Sequence, residues 1–197
     1  MTAAITQRIA VASTSAKART AGALSFFAMV AAISGESLFP KFEAAGDNIA
    51  LSALVIMTAL LYFIFRPVNR PLSLIAAFCN LAGLLSGALR WNPHGIDTPV
   101  VCAGFYSLLI ASLIFRSTFL PRFLAPLMAI AGLGWLTYLS PTFAAHLSPW
   151  NLAAAILGQQ LVMLWLLVKG VKNERWQQQA SPWFLPLAPQ KSSKPPT

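Results

Sequence analysis

Four residues of this sequence belong to the types that acid–base or metal chemistry uses: Glu36, Arg90, His94 and Asp97. A histidine close to carboxylates can relay a proton or ligate a metal, and an arginine beside them can hold an anion. The spacing Arg90-x-x-x-His94-x-x-Asp97 is not a specific motif. The ordinary reading is an interfacial arginine, a solvated histidine and a loop aspartate. Glu36 is the more unusual residue, because a carboxylate within a turn of an apolar segment is costly unless it is paired or wet. Lys41 and Arg90 are the cations placed to pair with it. A proton-coupled role and a plain ion pair or water contact are the two readings of Glu36.

A second set consists of amides and hydroxyls. Thr58, Asn80, Ser107, Gln159 and Gln160 each fall near the middle of an apolar segment. In lipid such groups commonly bond across helices, at about 0.6–2 kcal/mol per contact. The alternative is a polar lining for a small ligand, with Asn80, Gln159 and Gln160, and Arg90 nearer the surface, as its binding groups. No Asp, Glu, Lys or Arg sits at mid-segment, which counts against an ion pump with a central charged relay. A phosphate-cradling glycine loop, a G-x-S-x-G elbow and an H-E-x-x-H pair are all missing. Two histidines and two separated cysteines do not make a zinc site, so neither a metal nor a cofactor is expected. Cys79 and Cys102 differ in expected depth by about 8 Å at the helical rise per residue, outside disulfide reach, and read as buried small residues.

The elements that must position these groups are apolar helices. Of 197 residues, 57% are hydrophobic and 10% charged, where a soluble domain carries about 25% charged residues. The charges leave long empty stretches between Thr20 and Lys169, the pattern of segments dissolved in lipid. The fold expected is all-α: a polytopic transmembrane bundle of six spans over 20–39, 48–65, 71–90, 99–115, 121–139 and 149–168. Prolines punctuate these spans at their ends or first turns, where a missing N–H costs little; Pro126, near the start of the fifth, is the exception. Gly46-Asp47-Asn48 reads as a cap cluster before the second span, and Gly170 as the stop of the sixth. Residues 1–19 read as a loosely ordered basic arm. Residues 171–197 read as a tail whose first part, to Gln179, prolongs the last helix and whose Pro-rich end is disordered.

Charge fixes the expected orientation. With the N-terminus inside, the cytoplasmic segments hold Arg8, Lys17, Arg19, Arg66, Arg70, Arg116, Arg122, Lys169, Lys172, Arg175, Lys191 and Lys194, and the outer loops only Lys41 and Arg90. That bias over short loops places both termini in the cytoplasm. The net charge of +9 is therefore a topology signal and an attraction to anionic membrane lipids, not a nucleic-acid surface. The first span also has the look of a signal peptide, with Ala32-Ile33-Ser34 as its cleavage site; since the sequence begins at Met1, a retained span is the expectation. Ile64-Phe65-Arg66 followed by Pro71 recurs as Ile114-Phe115-Arg116 followed by Pro121. This is either a hairpin repeat or the common need of any inner turn for an aromatic, a base and a helix starter.

The stretch Phe65-Arg66-Pro67-Val68-Asn69-Arg70-Pro71-Leu72, the turn from Phe115-Arg116-Ser117 to Leu120-Pro121-Arg122, and Leu166-Leu167-Val168-Lys169-Gly170-Val171 with Arg175-Trp176 resemble a bacterial six-span membrane family, domain-of-unknown-function family 4386. Gly35-Glu36 resembles the end of its first span, and the resemblance covers roughly residues 18–178. It implies six retained spans in a bacterial inner membrane and carries no activity. Three functions stay open: a bundle that binds or transports a small ligand or lipid, a structural or assembly subunit, and, less favoured, a membrane enzyme at the outer face through Glu36, His94 and Asp97. Gly83-Leu84-Leu85-Ser86-Gly87 is a small-residue face suited to close packing, including against a second copy or a partner membrane protein.

Overall fold

The computed structural model of the protein describes residues 14–30, 43–91, 93 and 96–184. The described chain is helical: α1 over 14–30, α2 Glu43–Phe65, α3 Arg70–Ala88, α4 Thr98–Arg116, α5 Leu124–Leu136 continued by a 3-10 turn Thr137–Leu139, α6 Pro141–Leu147, α7 Trp150–Lys169 and α8 Asn173–Phe184. Four helices are long and apolar enough to cross a membrane, over Asn48–Phe65, Arg70–Ala88, Thr98–Arg116 and Trp150–Lys169. The expected fifth span is apolar but shorter, and part of the expected first span lies outside the described residues.

Three expectations need correction. The helix expected from Thr20 already begins at residue 14, so Lys17 and Arg19 ride on α1 instead of a loose arm. Ala16, Ala18 and Ala21 favour helix there, and Ala18 and Ala21 are fully buried. Gly46-Asp47-Asn48 does not cap α2; the helix runs through it from Glu43, carried by the good helix formers Glu43, Ala44 and Ala45. Nor does the chain beyond Gly170 prolong α7. It turns there, at φ 64° and ψ −151°, and α8 is a separate helix.

α3 is inside out by the standard of a soluble protein. Its buried residues are Ser73, Ala76, Asn80, Gly83 and Ser86, at spacings of three and four. The large apolar ones, Leu74, Ile75, Phe78, Leu81 and Leu85, are exposed. A continuous apolar face of that kind is a liability in water and matches lipid, where helices associate through small residues instead. The chain thus fits an integral membrane protein.

α5 lies between α4 and α7 and touches both through glycine. A Cβ on Gly104 would stand 3.1 Å from Gly132 O, and one on Gly158 would stand 2.6 Å from Leu127 O. Gly83 is used in the same way inside the chain: its Cβ position is 2.6 Å from Cys102 Cβ on α4, so α4 occupies that part of the small-residue face. Cys79 and Cys102 are free thiols. They are nonetheless neighbours, since the Cys79 thiol donates to Cys102 O at 3.5 Å across the α3–α4 contact. A sulfur reaching along the helix axis closes the offset that a count of residues leaves open. The main apolar core includes Met57, Leu61, Phe65, Leu113, Phe119, Met128 and Leu166, with the Phe65 and Phe119 rings 6.0 Å apart.

Candidate functional site

Of the residues singled out at the expected outer face, Glu36 and His94 lie outside the described residues. Arg90 ends α3. Its φ of 50° is left-handed, Trp91 N–H donates to Ser86 O at 2.9 Å and Arg90 N–H to Gly87 O at 3.0 Å. This is the double bond of a Schellman cap, a position usually given to glycine. The Arg90 side chain is exposed and lines a cavity of about 370 Å³ with Asn48, Leu51 and Leu54. Asp97 is half-buried before α4 and makes no side-chain cap. Among the described residues no ion pair joins Asp97 to Arg90, and no cluster of His, Cys, Asp and Glu is arranged to hold a metal.

Two of the three mid-segment amides, Asn80 and Gln159, are engaged between helices. Asn80 Nδ2 donates to Thr58 Oγ1 at 2.7 Å, and Thr58 donates in turn to Leu54 O at 2.7 Å, tying α3 to α2. Gln159 Oε1 accepts from Trp135 Nε1 at 3.1 Å, tying α7 to α5. Tyr106 Oη, Ser107 Oγ and Gln160 Oε1 are buried without a hydrogen-bond partner among the described residues. Asn80→Ala should cost about 0.6–1.7 kcal/mol, the range for an interhelical hydrogen bond in a membrane. Reversible unfolding in mixed micelles measures it. Thr58→Ser, which keeps the hydroxyl, should be near neutral.

A partly enclosed cavity lies at the other end of the bundle. Its volume is about 250 Å³, and Thr14, Lys17, Phe63, Ile64, Arg66, Pro67, Arg70 and Trp176 line it. Each cation is delivered by a different piece of chain. α1 starts early enough to bring Lys17, the short α2–α3 turn carries Arg66, and Arg70 opens α3 behind its cap Asn69, whose Oδ1 accepts from Leu72 N at 3.0 Å. The positive end of the α3 macrodipole adds to the Arg70 charge there. Ser73 Oγ donates to Tyr62 O at 3.2 Å and holds the turn closed. The side chains of Lys17, Arg66 and Arg70 have no hydrogen-bond or ion-pair partner among the described residues, and no carboxylate lines the cavity.

The aromatic wall comes from α8. At the end of α2 the Val68 N–H turns to Phe65 O at 2.9 Å, which leaves Ile64 O without its helical donor. Trp176 Nε1 fills that position at 2.9 Å. α8 also reaches the end of α4: Gln179 Oε1 accepts from Thr118 N and Thr118 Oγ1 at 3.2 and 3.1 Å, and Gln179 Nε2 donates to Arg116 O at 3.5 Å. Reading the sequence missed Trp176 and Gln179 as structural groups. The available signal was the spacing of Trp176 and Ala180, four residues apart, which places them on one side of a short helix.

A partly buried apolar wall beside cations that are unpaired among the described residues can neutralise and desolvate an anion that carries an apolar body. Residues 84–170 match the family model described as Domain of unknown function (DUF4386), a segment that runs from within α3 to the end of α7. No curated protein and no solved structure matches the chain. Lys17, Arg66, Arg70 and Trp176 all lie outside the matched segment, which is also narrower than the resemblance read from the sequence. Residues 84–170 are thus similar to domain-of-unknown-function family 4386.

Proposed function

We propose that this is a six-span protein of a bacterial inner membrane, with both termini cytoplasmic, that binds an anionic amphiphile at its cytoplasmic end through Lys17, Arg66 and Arg70. The observation that carries the reading is the meeting of three cations, unpaired among the described residues, with Phe63, Ile64, Pro67 and Trp176 around one cavity that no described carboxylate lines. Its volume of about 250 Å³ is just under the usual small-molecule range of about 300–1,000 Å³, so it suits a charged head group with its apolar part extending outward. The orientation is supported by the clustering of every described Lys and Arg except Arg90 at this end. Short loops with such a bias face the cytoplasm, where anionic head groups are plentiful.

The shared chemistry is a phosphate or similar oxyanion, whether on a lipid or free in solution. The test titrates the detergent-purified full chain with a short-chain phosphatidylglycerol, with short-chain phosphatidylcholine and with inorganic phosphate. Phosphatidylglycerol should bind in preference to phosphatidylcholine, and Arg66→Gln with Arg70→Gln should weaken it about 100-fold, at about tenfold for each charged hydrogen bond lost. Saturable binding of inorganic phosphate, lost in the same variant, would identify a soluble oxyanion as the ligand. Equal affinity for all three probes in wild type and variant would remove the site.

A further inference from the structure

α5 is the short member of the bundle. Its 13 residues and the 3-10 turn that continues them span about 26 Å against about 28 Å for the 19 residues of α4, in a hydrocarbon layer about 30 Å thick. Beside it the last turns of α4 and the first turns of α5 enclose an open groove of about 780 Å³. The groove exists because Ala111, Ala125 and Ala129 line it, where larger side chains would fill it. Ala111 and Ala125 are buried and form its floor, while Phe115 at its rim is 64% exposed. Its polar lining is confined to one region: Arg116, exposed in the last turn of α4, and Ser112, whose hydroxyl is already bonded to Leu108 O at 3.1 Å. Arg122 is exposed in the turn that follows, and Gln179 holds the Arg116 carbonyl through its amide at 3.5 Å. No carboxylate lines the groove.

An occupant must be apolar along most of its length, narrow, and anionic at one end. It must also reach the groove from the side, because the groove is open between α4 and α5 and its rim residue Phe115 is exposed. The bilayer supplies one molecule with all of these properties. We propose that the α4–α5 groove seats an acyl chain of an anionic phospholipid of the surrounding membrane, with the phosphate on the Arg116 guanidinium. The lipid fills the volume that the small side chains of Ala111, Ala125 and Ala129 leave between α4 and α5. No residue of this groove lines the Lys17–Arg66–Arg70 cavity, so the two sites stand or fall separately.

Native mass spectrometry of the full chain tests it, in the Arg66→Gln/Arg70→Gln background so that only the groove contributes. Phosphatidylglycerol and phosphatidylcholine are added at equal concentration. Retention of phosphatidylglycerol should exceed that of phosphatidylcholine by about tenfold, as expected for a charge-assisted hydrogen bond. Arg116→Gln should erase the preference, and Ala129→Phe, which plugs the groove, should lower retention of both lipids. Arg116→Gln alters an exposed side chain, so it reads the site even where Ala129→Phe fails to fold. Equal retention of the two lipids, or a preference that survives Arg116→Gln, would reduce the groove to ordinary lipid contact and overturn the proposal.

Discussion

Gly158→Val should destabilise the bundle by about 3 kcal/mol or more, enough to lose most folded protein on extraction into mild detergent. A Cβ at Gly158 would lie 2.6 Å from Leu127 O and 3.1 Å from Ala131 Cβ. Both obstacles belong to the α5 backbone or sit directly on it, so neither can swing away. The next contact along the same seam is equally tight, since a Cβ at Gly134 would lie 2.7 Å from Asn151 O. On the other face of α5, Gly132 meets Gly104 O at 2.9 Å from its Cβ position. Displacing α7 therefore pushes α5 into α4. Lipid offers helices no hydrophobic reward for approaching one another, so the dispersion gained at these close contacts is a principal source of association. Gly87→Val is the control. That glycine is exposed, and its Cβ would meet only the Pro99 ring, at 3.3 Å. Thermal unfolding followed by circular dichroism should show a large fall in midpoint for Gly158→Val and a small one for Gly87→Val. Equal midpoints would mean that the α5–α7 seam does not hold the bundle.

How far the sequence revealed this arrangement depends on the range of the interaction. α4 and α7 begin and end within a residue or so of expectation, because proline, a basic last turn and Gly170 are local signals. Asn80 and Gln159 have the interhelical bonds expected of buried amides in lipid, although their partners Thr58 and Trp135 depend on which helices meet. The early start of α1 was hidden because Lys17 and Arg19 look like a topology signal, and a charge run does not say whether its backbone is helical. Lys17, Arg66 and Arg70 were each legible as inward-facing cations. Their convergence was not, since it needs the start of α1, the α2–α3 turn and α8 to share one end of the molecule. The groove between α4 and α5 was invisible for a related reason: Ala111, Ala125 and Ala129 are ordinary helix residues until it is known that α4 and α5 meet there.

Gly170→Ala should release α8 and, with it, the wall of the basic cavity. At φ 64° and ψ −151° the residue occupies a region essentially reserved for glycine. Any side chain there adds strain of about 1–3 kcal/mol. The Cβ would also lie 2.6 Å from Ser15 Oγ on α1, a hydroxyl that can rotate away, so strain is the larger effect. The cost falls on the docking of α8. That docking rests on buried Val171 and Ala180, the Trp176 bond to Ile64 O and the Gln179 bonds to Thr118, while the α4–α5–α7 seams lie elsewhere. Trypsin cleavage at Lys172 and Arg175, both exposed but held in or beside the docked helix, reports the change. The rate should rise about tenfold for each 1.4 kcal/mol lost from docking. Ser15→Ala in the Gly170→Ala background removes the hydroxyl contact but not the strain, so it should restore only a minor part of the protection. Binding at Lys17, Arg66 and Arg70 should weaken along with α8, although no cation is touched, because Trp176 leaves the cavity wall. Unchanged cleavage would show that α8 docks without the Gly170 turn, and unchanged binding with faster cleavage would show that Trp176 is no part of the site.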